Sequence, residues 1–191
     1  MAICDNLSVG LVIERDGAFL GFNRNTPPVG FAFPAGHVLD HGTDAPTDPR
    51  QLLALVEKAA REEAKEEVGL TVVSLEPVIS GLWQDNACRR APGPKGVGHR
   101  CFVYRATVTG EPTPSPRETR DLRWVTRADL QDLANRTADH AEGLITPEKF
   151  AADPGAEPVW IPLMVKLGLI LMSPGDRDRI AALARQAPAR L

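Results

Sequence analysis

The stretch EKAAREEAKEEVGL, residues 57–70, is the most informative in this chain. Glu62, Glu63, Glu66 and Glu67 crowd together, and the run stops at Gly69. Upstream, Thr47 or Asp48 can cap a helix, and Pro49 fits its first position, where an N–H would have no partner. Leu53, Val56, Ala60, Ala64 and Val68 recur at spacings of three and four and make one apolar face. Gly69 suits a left-handed C-terminal cap. These signals predict a helix over 49–68. On a wheel of about 100° per residue with Ala64 at zero, Glu67 falls at about −60°, Glu63 at about −100° and Glu66 at about −160°. Glu62 lies beside Glu66, and Arg61, at about +60°, points away from the stripe. Like charges at these spacings repel and cost helix stability. Lys58 and Lys65 can offset Glu62 and its neighbours, but neither projects between Glu63 and Glu67. Two readings are open: a solvated acidic face, or a stripe that binds a hard divalent cation such as Mg²⁺ or Mn²⁺.

On the N-terminal side of this helix, SVGLVIERDGAFLGFNR (8–24) predicts a β-hairpin turning at Asp16-Gly17. GFAFPAGHV predicts a short strand ended by Pro34 and Gly36, followed by a polar loop to Asp48. On the C-terminal side, LTVVSLEPVISGLWQD reads as a strand pair or one long bent strand, and HRCFVYRATVTG as a strand. PTPSPRET is a surface loop, DLRWVT a strand and RADLQDLAN a short helix. The last third reads as helical, over PVWIPLMVKLGLILM and SPGDRDRIAALARQ. The first of these runs is apolar almost all round and so buried; it could cross the sheet, close a pocket or form a homodimer interface, with Trp160 open to each. This order is α+β, not a regular βαβ alternation.

The 191 residues suffice for one domain, 1–191, with a core over about 8–134 and a C-terminal helical extension over about 138–188. A net charge of −3 gives no general case for nucleic acid or an anionic membrane as partner. No apolar run is long enough to span a bilayer, and MAICDNLSVG lacks the pattern of a secretory signal, so the expected setting is cytoplasmic. Cys4, Cys88 and Cys101 have no CxxC spacing and suggest neither a disulfide framework nor a zinc site. His37 and His41 read as ordinary loop histidines.

EEAKEEVGL (62–70), with Ala59-Ala60 before it and FPAGHV upstream, resembles the signature of the Nudix hydrolases. Gly36 matches its leading glycine, and Glu63, Ala64, Glu66, Glu67, Gly69 and Leu70 fall in register. The resemblance implies a Nudix-like α/β/α sandwich with a central mixed sheet, here with additional C-terminal helices. It implies metal-dependent hydrolysis of a diphosphate linkage in a nucleoside diphosphate derivative. Glu63, Glu66, Glu67 and the Gly36 carbonyl are the implied ligands of Mg²⁺, with Mn²⁺ as substitute. The substrate would be a nucleotide-derived small molecule: a nucleoside triphosphate, a dinucleotide or a nucleotide sugar. Glu63, Glu66, Glu67 and, from a later loop, Glu118 are the candidate catalytic carboxylates. Arg89, Arg90, Arg100 and Trp83 are candidates for substrate binding, since arginine suits phosphate and tryptophan can stack on a base. Lys95 and His99 share this basic segment, whose other reading is an exposed loop.

Two positions depart from the pattern. Glu62 occupies the signature's arginine position, and Gly42 the place of its loop glutamate. In the family those two residues pair and brace the loop, so the brace is absent, or replaced by Glu62 accepting from a basic residue elsewhere. A catalytically weakened nucleotide-binding or regulatory module is therefore the alternative to an active enzyme.

Overall fold

The computed structural model describes residues 3–26, 28–39, 45–88, 90–93 and 95–186. Strands β1 (Leu7–Arg15) and β2 (Ala18–Arg24) form the expected hairpin. Its turn residues, Asp16 and Gly17, take φ of 52° and 77°, which an Asp-Gly pair tolerates. The next segment differs from expectation. Gly36 does not end a strand but sits inside a second one, because the chain breaks at Phe33-Pro34 into β3 (Phe31–Ala32) and β4 (Ala35–His37). Proline lacks the N–H that a continuous ladder needs there.

Helix α1 spans Pro49–Val68 as predicted. The Asp48 side chain accepts from the Arg50 N–H, and Gly69 closes the helix at φ 72°. Its buried face is Leu52, Val56, Ala59, Ala60, Ala64, Glu67 and Val68, whereas Leu53 is 41% exposed. The inward face is thus rotated from Ala64 toward Glu67. The sheet it packs on selects that face, and Ala59 and Ala60 let the backbones approach.

TVVSLEPVISGLWQ is one strand, β5 (Thr71–Gln84), bent by three register shifts against β6 (His99–Thr109). β7 (Thr119–Val125) pairs with β2. The mixed sheet runs β3-β2-β1-β6-β5, with β4 on β1 and β7 on β2. β1 is its centre, parallel to β6 and antiparallel to β2 and β4. Alternate side chains of β1 feed two cores. Leu11 and Ile13 join Val56, Ala60 and Ala64 under α1, while Val12 faces Trp160, Ile161 and Met164 on the other side.

α2 (Arg127–Glu142) is far longer than RADLQDLAN suggests, opening on a Thr126–Asp129 capping box and ending at Gly143. A short α3 (Pro147–Ala152) follows. The apolar run near Trp160 yields only α4 (Trp160–Lys166), not a long helix. Gly168, at φ 67°, turns the chain out, and Leu169 and Ile170 are buried as irregular chain. α5 (Pro174–Arg185) completes the second layer. Trp160 crosses the sheet: it lies edge-on to Phe33 and directly over Gly10, where any Cβ would meet it at 2.5 Å.

Candidate active site

α1 and β4 build the site between them. Ala35 donates its N–H to Glu67 Oε2 at 2.9 Å. Gly36, the next residue, lies so close to Glu63 that a Cβ there would stand 1.6 Å from its Oε1. The helix wheel sets the gradation of exposure: Glu67 is buried, Glu63 half-buried, and Glu66 and Glu62 exposed. All four line one cleft of about 830 Å³. Burial pushes the Glu63 carboxyl up to about 7, helped by Glu66 and Glu118 and opposed by Arg24. Burial also raises Glu67 well above the usual range; Glu63 adds to this, and the Ala35 N–H and Arg24 oppose it.

Arg24, at the end of β2, had no signal in the sequence. It is half-buried and lines the cleft, yet its Nη1 is committed to Glu157 at 3.2 and 3.4 Å. Among the described residues neither Glu63 nor Glu67 forms a salt bridge. The donors present are hard oxygens on a face that a glycine opens. This set fits Mg²⁺ or Mn²⁺.

Glu118 faces the same cleft, with Arg117 bonded to its Oε1 at 2.8 and 3.1 Å. Arg90 lines it too and donates to the Leu39 carbonyl. Trp83 and Arg100 pair across β5 and β6 and line neither the cleft nor the cavity beside it. Trp83 donates to Asp85, and the Arg100 guanidinium lies over Phe102. Arg89 and His41, with the Gly42 loop position, lie outside the described residues. Glu62 has a basic partner, but it is Lys58, 3.5 Å away on the same helix, so this pair braces no loop. Arg61 turns aside, as the wheel requires, and donates to the Val72 carbonyl.

The reading of the cysteines and histidines needs correction. His37 and His99 are not ordinary loop residues, and Cys4 and Cys88 are not isolated: the ligand atoms of all four lie within 4.8 Å of one another. The reason is tertiary. β1 pairs with both β4 and β6, which brings residues remote in sequence to one end of the sheet. Cys101 stands apart, accepting from the Ser8 hydroxyl.

A second cavity, of about 170 Å³, adjoins the cleft and shares Arg24, Ala35, Gly36 and His37 with it. Its walls include Phe102, Trp160 and Leu163 and, at one side, His37, Cys88 and His99.

A carboxylate-lined cleft thus lies between the last turns of a capped helix and a glycine-bearing strand of a mixed sheet. The family model described as NUDIX domain matches residues 6–146, and the chain belongs to that family, the Nudix pyrophosphohydrolases. Among solved structures, a MutT NUDIX hydrolase from Burkholderia pseudomallei is 24% identical. That match covers 64% of this chain and 84% of that one, at a TM-score of 0.48. A NUDIX-family hydrolase from Clostridium perfringens is 22% identical over 67% and 85%, at 0.49. The NUDIX domain of Shewanella oneidensis NrtR, solved with ADP ribose, is 15% identical over 68% and 77%, at 0.48. Comparison with the curated proteins gave no significant match. Among the described residues, no helix is long and apolar enough to cross a membrane.

Proposed function

We propose that this chain is a divalent-metal-dependent hydrolase that cleaves the diphosphate linkage of a nucleoside triphosphate, a dinucleotide or a nucleotide sugar. One observation carries the reading: Glu63 and Glu67 are desolvated together in a cleft, with the Gly36 backbone seated on Glu63. Glu63, Glu66, Glu67 and the Gly36 carbonyl would hold Mg²⁺ or Mn²⁺. When bound, the ion supplies neutralising charge for phosphate oxygens and a more acidic water.

The protein's own groups do the rest. Ala35 fixes one oxygen of Glu67, so that carboxylate is aimed before any ligand arrives. Glu118 faces the cleft from the loop before β7 and acts as general base toward the attacking water. Arg117 holds Glu118 by one oxygen only. Arg90 and Arg117 line the cleft and would pair with phosphate oxygens, which arginine can do bidentately, Arg117 by turning from Glu118. The neighbouring cavity suits the apolar part of the substrate, with the diphosphate crossing the carboxylates.

The test is a hydrolysis panel over those three substrate classes with Mg²⁺ and with Mn²⁺, reading released phosphate or mononucleotide. Glu67→Gln should lower kcat/KM on the best substrate by about 100-fold or more. Unchanged turnover in that variant would remove the metal assignment. Nucleotide binding without turnover of any panel member would favour a weakened binding module instead.

A further inference from the structure

A second cluster of potential ligands includes His37, one residue beyond Gly36, and its chemistry differs from that of the glutamates. Cys4 precedes β1, His37 ends β4, Cys88 follows β5 and His99 opens β6. Cys4 Sγ is 3.1 Å from His99 Nε2 and 3.6 Å from His37 Nε2. Cys88 Sγ is 3.4 Å from His37 Nε2, and the two Nε2 atoms are 3.3 Å apart. A tetrahedral ion with Zn–S of about 2.3 Å and Zn–N of about 2.05 Å requires edges of roughly 3.6 Å for S–N and 3.3 Å for N–N. Three of these four edges lie within about 0.2 Å of those lengths, and the Cys4–His99 edge, at 3.1 Å, is the short one.

The surroundings prepare these atoms as ligands. His99 Nδ1 is 2.9 Å from Asn86 Oδ1, an acceptor, which places the ring proton on Nδ1 and the lone pair on Nε2. Each sulfur accepts a backbone N–H from two residues on: Asn6 to Cys4 at 3.3 Å and Arg90 to Cys88 at 3.4 Å. Cys4 and His99 are buried, 2% and 5% exposed, while Cys88 and His37 are half-buried. Two thiolates with two imidazoles suit zinc and not magnesium.

We propose that Cys4, His37, Cys88 and His99 hold a structural Zn²⁺ in a closed tetrahedral site, distinct from the carboxylate site. Four protein ligands leave no open position for substrate, so the ion fastens rather than reacts. It joins the N-terminal segment, β4 and both ends of the β5–β6 connection. His37 is adjacent to Gly36, and Ala35 holds Glu67, so the ion fixes the far end of the strand on which the carboxylate site rests. Glu62 spends its charge on Lys58, on the same helix.

The full, untagged chain, isolated under reducing conditions without chelator, should contain about one zinc per chain by elemental analysis. Exchange for Co²⁺ should give the intense visible bands of tetrahedral cobalt and a sulfur-to-cobalt charge-transfer band. Cys88→Ser should lose the zinc, and Cys101→Ser should keep it. Asn86→Ala should weaken zinc roughly 10- to 100-fold in competition with a chromogenic chelator. If Cys88→Ser fails to fold, the cobalt spectrum of the wild-type chain decides alone. The proposal is overturned if the reduced wild-type chain takes up no zinc, or if its cobalt spectrum lacks the sulfur band. It is equally overturned if Cys101→Ser loses zinc as Cys88→Ser does. None of these readouts depends on hydrolysis.

Discussion

Gly36→Ala separates the work of the site from the stability of the fold. The added Cβ would stand 1.6 Å from Glu63 Oε1 and 2.2 Å from Cδ, where ordinary contact begins at 3.4 Å. The carboxylate must therefore retreat by about 1.8 Å, since neither group can overlap the other. The obstacle is the end of a flexible side chain, so β4 can keep its pairing with β1 while Glu63 swings toward solvent. That movement relieves the desolvation which holds its carboxyl near 7. The metal-free variant should then melt at or slightly above the wild-type temperature. Function should suffer, because a displacement of 1 Å at a reacting centre costs on the order of 100-fold, or roughly 2.7 kcal/mol. The assays are Mg²⁺ titration by calorimetry, and kcat/KM for the best substrate of the panel at saturating Mg²⁺. Affinity and turnover both within about threefold of wild type, well under 1 kcal/mol, would refute the placement of Glu63 against Gly36 as the reason a glycine is needed.

Further perturbations test the scaffold. Glu157→Leu strands Arg24 without its partner and should cost about 3 kcal/mol in denaturant unfolding, the low end for a buried pair because Arg24 is 28% exposed. Combining it with Arg24→Met should recover much of that loss. Gly10→Ala drives a Cβ to 2.5 Å from the Trp160 ring, which Phe33 also packs, so the unfolding midpoint should fall by the equivalent of about 1–3 kcal/mol. An unchanged midpoint would show that Trp160 is free to shift. Asp129 in the capping box of α2 is held below the usual carboxyl range, first by the Thr126 N–H and then by its hydroxyl. Its contribution is present above pH 3.8 and lost as pH falls through the lowered folded value. The melting temperatures of wild type and Asp129→Ala should therefore differ at neutral pH and converge in acid, and a gap independent of pH would contradict this.

The carboxylate stripe is legible in the sequence because its causes are local. Asp48, Pro49 and Gly69 set the ends of α1, and helical geometry alone orders Glu67, Glu63 and Glu66 from inside to outside. The apolar face is less legible: periodicity admits Leu53, yet the fold buries Leu52, since the sheet decides which side of a broad apolar stripe is covered. The run around Trp160 reads as a long helix because burial on all sides leaves no period to interpret. Gly168 ends it, and local sequence does not dictate the conformation of such a glycine. Arg24 and Glu157 meet across 133 positions, and neither carries a pattern that announces the other.

Spacings of a few residues suffice to specify helix α1, its caps, the direction of its glutamates and the match of this helix to a family. Tertiary packing was needed for the rest: Cys4, His37, Cys88 and His99 converge, Glu67 takes the Ala35 N–H, and Arg24 is spent on Glu157. These contacts depend on strand order and register, above all on β1 pairing with β4 and β6 at once. Register is a property of the assembled sheet, selected by which faces can be buried together, and no local window of the chain contains it.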